Sequence, residues 1–144
     1  MGTFIRYWLP VLAWMAVIFI LSTSRFSFGH TARFIEPLLR LFFPAIAEDR
    51  LTRAHIRIRE GAHFVEYLIL GVLLFRAARG DSEVPWLPGW MFLSFLVTTA
   101  YAILDELHQK WESGRTARLG HVLIDIAGGA TAQALIFLAV GVLS

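Results

Sequence analysis

Four long apolar segments constrain this chain more than any other feature. A helix needs about 20 mostly apolar residues to cross roughly 30 Å of hydrocarbon. Residues 4–22 meet that length with Arg6 as their single charge. Residues 62–78 form a second segment, with His63, Glu66 and Arg76 near its ends. Residues 86–104 open on Trp86 and Trp90, as an interfacial aromatic belt would. Residues 119–143 carry Asp125 as their one formal charge. The 144 residues leave room for one domain. The expected fold is therefore an all-α membrane protein with about four transmembrane helices, one domain over residues 1–144. The composition agrees: 57% of residues are apolar and the mean hydropathy is +0.63, where soluble domains run at roughly 45–50% apolar.

The first segment also has features of a cleaved signal peptide, namely a basic residue and small residues at Ser22 and Ser24. Its apolar run is as long as a full span, which favours a retained helix. The chain has no cysteine, so disulfides, thiolate metal sites and cysteine nucleophiles are excluded. A net charge of +2 is too small to argue for a nucleic-acid partner. Basic residues beside membrane spans meet lipid phosphates instead.

The stretch 23–60 is too long for a structureless loop. Phe34, Ile35, Leu38, Leu39, Leu41 and Phe42 sit among Arg33, Glu36 and Arg40, the pattern of an amphipathic helix lying in the interface. After Pro44, Asp49 can cap a second helix. Leu51, Ala54, His55 and Ile58 occupy one side of it, with Arg50, Arg53 and Arg57 on the other. That helix can continue directly into span two. Gly80-Asp81 with Pro85, and Ser113-Gly114, mark turns.

Alternating spans place the start of span two, the end of span three and the start of span four at one membrane face. That face receives His63, Glu66 and Tyr67, then Asp105, Glu106, His108 and Gln109, then Arg115 and Arg118, then His121 and Asp125. The other face holds Arg6, Arg76, Arg79, Asp81 and Glu83. His63 shares a helix side with Glu66 and Tyr67, Asp105 with His108 and Gln109, and His121 with Asp125, by i,i+3 and i,i+4 spacing. Ionisable groups in a membrane segment are expensive and seldom face lipid. The three stripes are thus expected to turn inward on a shared pocket, about 5–10 Å below the helix starts at 1.5 Å per residue. Of the 13 basic residues, all but Arg6, Arg76 and Arg79 lie in the loops at the pocket face. The positive-inside rule would put that face in the cytoplasm. Pairing with Glu36, Glu48, Asp49 and Glu60 would confound the count, so charge leaves orientation open.

Two stretches resemble the VanZ family of bacterial membrane proteins, named for a component of teicoplanin resistance. The first is Arg59-Glu-Gly-Ala-His63-Phe-Val-Glu66-Tyr67, similar to the family's basic-x-x-His-Phe-x-Glu-Tyr pattern opening a span. The second is Asp105-Glu106-Leu-His-Gln109, then Ser-Gly114-Arg115, then Asp125 and Gly128. This chain departs in having Glu60 where the family usually has lysine, and His121 where it usually has aspartate. The resemblance implies a multi-pass protein of the bacterial cytoplasmic membrane with an envelope-related role, including glycopeptide (teicoplanin) resistance.

Each polar group carries two readings. His63, Glu66 and Tyr67 can contact a ligand or a reacting group, or can clamp helices by hydrogen bonds. Asp105 is the inward carboxylate expected on span three, with Glu106 paired to Lys110 at the surface. Arg115 can grip phosphate or neutralise a carboxylate. His63, Glu66, Asp105, His108, His121 and Asp125 offer nitrogen and oxygen donors suited to a divalent metal such as Zn or Fe, though no HExxH signature is present. Gly128, Gly129 and Ala132 form a close-packing face, and His30 and His55 are expected at the interface.

Three functions follow. The first is a non-enzymatic pocket for an anionic lipid headgroup or lipid-linked cell-wall precursor, with Arg59, Tyr67, Gln109, Arg115 and His121 as binding residues. The second is a hydrolase or transferase acting on a lipid headgroup, with His63, Glu66, Asp105 and Asp125 as acid-base candidates. The third is a small ion-coupled transporter, disfavoured because the other face lacks matching intramembrane carboxylates. Membrane lipids are the expected partners, a glycopeptide is a further one, and a homo-oligomer is compatible with all three.

Overall fold

A computed structural model describes residues 2–111 and 119–142. Helix α1 spans Gly2–Leu21 and passes through a short 3-10 turn, Ser24–Phe26, into α2, Phe28–Phe42. Helix α3 runs unbroken over Glu48–Arg79, α4 covers Pro88–Trp111, and α5 covers Leu119–Ile136, finishing in a π turn at Phe137–Gly141. Four of these helices are long and apolar enough to cross a membrane. Large apolar side chains cover their outer faces: Phe92 is 68% exposed and Leu123 67%. Such exposure over whole helices suits lipid rather than water as the surrounding solvent.

Helix α3 is the hub, touching α1, α2, α4 and α5, while α4 also packs on α5. The apolar core sits along α1 and α3, from Tyr7, Val11 and Ile18 to Tyr67, Leu70, Leu74 and Ala77, with Ala102 from α4. Pro10 lies inside α1 and cannot donate to the carbonyl one turn earlier. That carbonyl, on Arg6, accepts from Arg76 Nη2 at 3.4 Å, so a defect in one span is answered by a side chain of another. In α4, Ser94 and Thr98 return their hydroxyls to the backbone of Trp90 and Ser94, at 2.6 and 2.7 Å.

Helices α3 and α5 come together through small residues. A Cβ on Gly128 would sit 2.3 Å from the Phe64 carbonyl oxygen, and one on Gly129 2.7 Å from Thr98 Cγ2. On the facing side, a Cβ on Gly71 would meet the Ala132 Cβ at 2.9 Å. Backbone-to-backbone approach of this kind is how membrane helices gain dispersion contacts.

The amphipathic segment is longer than its apolar pattern implies, starting at Phe28. Helix α2 buries none of its residues, and Phe34, Leu38, Leu41 and Phe42 are exposed, as suits an interfacial helix. Phe43, ahead of Pro44, leaves helical geometry at φ −133° and ψ 72°. One expectation changes here. Asp49 does not cap α3: the cap position is Ala47, and Asp49 sits in the first turn, bonded to Arg53 at 2.5 Å. His55 is completely buried within the protein, because α2 folds back over it. Its ring stacks on Phe28 at 4.2 Å, Nε2 lies 3.0 Å from Thr31 Oγ1, and Nδ1 lies 3.7 Å from Glu36. Arg40 pairs with Glu48 and Arg57 with Glu60, so much of the loop's positive charge is locally matched.

Gly128→Ala should lower the stability of the detergent-solubilised protein by at least about 1–3 kcal/mol, since the overlapped atom belongs to a helix backbone. Gly61→Ala has open space within 4 Å and should stabilise by about 0.5–1 kcal/mol through helix propensity. Thermal melts of the two variants check the contrast.

Candidate functional site

Helix periodicity delivers the three polar stripes to one place. His63 on α3 and Asp125 on α5 meet with Nδ1 and Oδ1 3.4 Å apart, their side chains 12% and 1% exposed. Asp105 on α4 completes the group: one donor atom from each of His63, Asp105 and Asp125 lies within 4.8 Å of the others. Gln109 Nε2 donates to Asp105 Oδ2 at 2.9 Å, one turn along α4, fixing that carboxylate's orientation. Asp105 Oδ1 and both Asp125 oxygens are buried and accept no hydrogen bond among the described residues.

The surrounding side chains close the site. His121 stacks on His63 with centroids 5.7 Å apart and reaches Glu106 at 3.7 Å. Tyr67 is wholly buried beneath, within the electrostatic field of Asp105, Asp125 and Glu66. Its hydroxyl is buried and has no hydrogen-bond partner among the described residues. Glu66 lies beside His63, and its backbone carbonyl accepts from Trp14 Nε1 at 2.9 Å, which pins α1 to α3.

A groove of about 140 Å³ leads to this cluster. Leu21, Phe26, Ile35, Ile58 and Ala62 line it with apolar side chains, and Thr31, Arg59, His63 and Glu66 with polar ones. Arg59 donates to the Phe26 carbonyl at 2.7 Å and to Thr31 Oγ1 at 3.0 Å, so it ties the 3-10 turn and α2 to α3 while bordering the groove.

The structure thus places His63, Asp105, Asp125, Tyr67, Glu66, Gln109 and His121 around one site, and Arg59 at its side. His108 is not in the three-residue group of His63, Asp105 and Asp125; its ring packs at a tilt against Phe19, with centroids 4.5 Å apart. Arg115 and the Ser113-Gly114 turn lie outside the described residues. Glu106 departs from expectation: it is 6% exposed and near His121, not a surface partner of Lys110. Its i,i+3 spacing to Gln109 was the signal for that. Tyr101 was not singled out from the sequence, yet its ring lies 6.3 Å from Tyr67 and its hydroxyl donates to the Met15 carbonyl at 2.7 Å. Its position one turn before Asp105 could have identified it.

The sequence model of the VanZ/LLP1 family matches residues 7–140. The chain belongs to the VanZ/LLP1 family. That match covers the first span helix from Tyr7 onward, the other three span helices and every residue of the site. No curated protein and no solved structure matches the chain. With the fold, this makes it a multi-pass VanZ-like membrane protein.

Tyr67→Phe should leave the melting temperature nearly unchanged, within about 0.5 kcal/mol, because the hydroxyl it removes makes no hydrogen bond among the described residues. A thermal melt in detergent checks this, and a large drop would show that the hydroxyl is bonded in the folded protein.

Proposed function

We propose that this VanZ-like protein is an envelope component of the bacterial cytoplasmic membrane whose site receives the anionic headgroup of a lipid or a lipid-linked cell-wall precursor. The observation that carries this is the continuity of the groove with the polar cluster. Apolar walls beside an interfacial helix suit the upper part of an acyl or polyprenyl chain. Arg59 in the groove lining suits phosphate, and His63 can donate to it. Filling the groove with Ala62→Trp leaves every polar contact in place. Mass spectrometry of lipids that co-purify should show a phosphate-bearing lipid retained by the native protein and reduced about tenfold in the variant, the equivalent of about 1.4 kcal/mol. Equal retention in both would count against the groove as the binding site.

A second reading is catalytic, and the His63–Asp125 contact favours it. A buried carboxylate orients an imidazole and stabilises its protonated form, which suits proton transfer in headgroup hydrolysis or transfer. In a host made teicoplanin-tolerant by this gene, Asp125→Asn should abolish tolerance at unchanged protein level under this reading. Retained tolerance would leave binding alone as the function.

A further inference from the structure

We propose that His63, Asp105 and Asp125 bind a divalent metal ion of the Mn, Fe or Zn class, between α3, α4 and α5. The three residues offer one imidazole nitrogen and two carboxylates, each from a different helix, within 4.8 Å of one another. Metal bonds of about 2.0–2.2 Å at tetrahedral angles put ligand atoms about 3.3–3.6 Å apart, and His63 Nδ1 and Asp125 Oδ1 are 3.4 Å apart. The full set spans up to 4.8 Å, so an ion would draw the three side chains closer together.

Proximity alone would not make a site. The Asp125 side chain is 1% exposed, and among the described residues its carboxylate meets His63 at 3.4 Å, outside regular hydrogen-bond geometry. Asp105 is 4% exposed and uses one oxygen on Gln109, leaving the other buried with no hydrogen bond among the described residues. The Tyr67 hydroxyl, fully buried and without a hydrogen bond among the described residues, borders the same carboxylates. His63 is 3.4 Å from Asp125, but one imidazole facing two buried carboxylates still leaves negative charge in a membrane segment that a cation would compensate. Gln109 then acts as the outer residue that orients a ligating carboxylate. A three-residue set leaves coordination positions open, and the headgroup groove reaches the cluster at His63. The ion would also offset the carboxylates' repulsion of a phosphate. Ion binding itself does not depend on the lipid.

The test uses the full chain purified in mild detergent without chelator. Bound metals are quantified by mass spectrometry. After chelator treatment, melting is followed while Mn²⁺, Zn²⁺ and Mg²⁺ are titrated separately, with no lipid added. The expected result is a saturable rise in melting temperature with Mn²⁺ or Zn²⁺ and about one ion per chain. Asp125→Asn and His63→Gln should each lose that rise. Asp125→Asn, relieved of a buried charge, should melt no lower than the ion-free native protein. If it does not fold, Asp105→Asn serves the same comparison. No retained ion and no saturable shift in the native protein would overturn the proposal, as would a shift that survives in His63→Gln and the folded aspartate variant. Loss of lipid retention with intact ion stoichiometry would refute the headgroup reading alone.

Discussion

The approach of α5 to α3 at Gly128 is the contact on which the rest of the structure depends. Gly128 lies one turn after Asp125, and the carbonyl it presses against belongs to Phe64, next to His63. The same close approach that gives these helices their dispersion contact brings an imidazole and a carboxylate within 3.4 Å. A side chain at 128 would push the two helices apart at the level of the site. Gly129 against Thr98 extends the arrangement to α4, so three helices converge at one depth.

A second constraint follows from the solvent. Lipid offers ionisable side chains no hydrogen bonds, so each must turn inward or reach the interface. Helices α3, α4 and α5 take the first course at one face. At the other face, Tyr7 bonds to Asp81, with Arg6 3.7 Å from the same carboxylate and both Arg6 and Arg76 beside the Tyr7 ring. One end of the bundle is latched by matched charges, and the other concentrates buried carboxylates. This asymmetry suits a site entered from a single membrane face.

The spans and the face holding the site were legible in the sequence, because hydropathy blocks and i,i+4 spacing are local properties of a helix. The inward stripe of Asp105 and Gln109 followed from that spacing alone. The burial of Glu106 did not, because neighbouring carboxylates differ by about 100° around a helix and only the packing of α5 decides how wide the inward sector is. The burial of His55 was not legible for a similar reason: nothing in α3 itself shows that α2 folds back over it. Asp49 has a capping side chain, but Arg53 one turn later competes for it and takes it. The resemblance in residues 59–67 and 105–128 was readable as motif, and the match over residues 7–140 places the whole bundle in that family. What the motif could not convey is the groove, which needs α1, the 3-10 turn and α2 as walls.

The central claim is that α3 and α5 bring His63 and Asp125 into contact within one chain. The absence of cysteine makes the test clean. In membranes, His63→Cys/Asp125→Cys should be bridged within a single chain by a short bis-methanethiosulfonate, read by mass spectrometry after proteolysis. Asp81→Cys/Asp125→Cys, at opposite faces, should not be bridged. No bridge in folded protein, or a bridge formed only between two copies, would contradict the account.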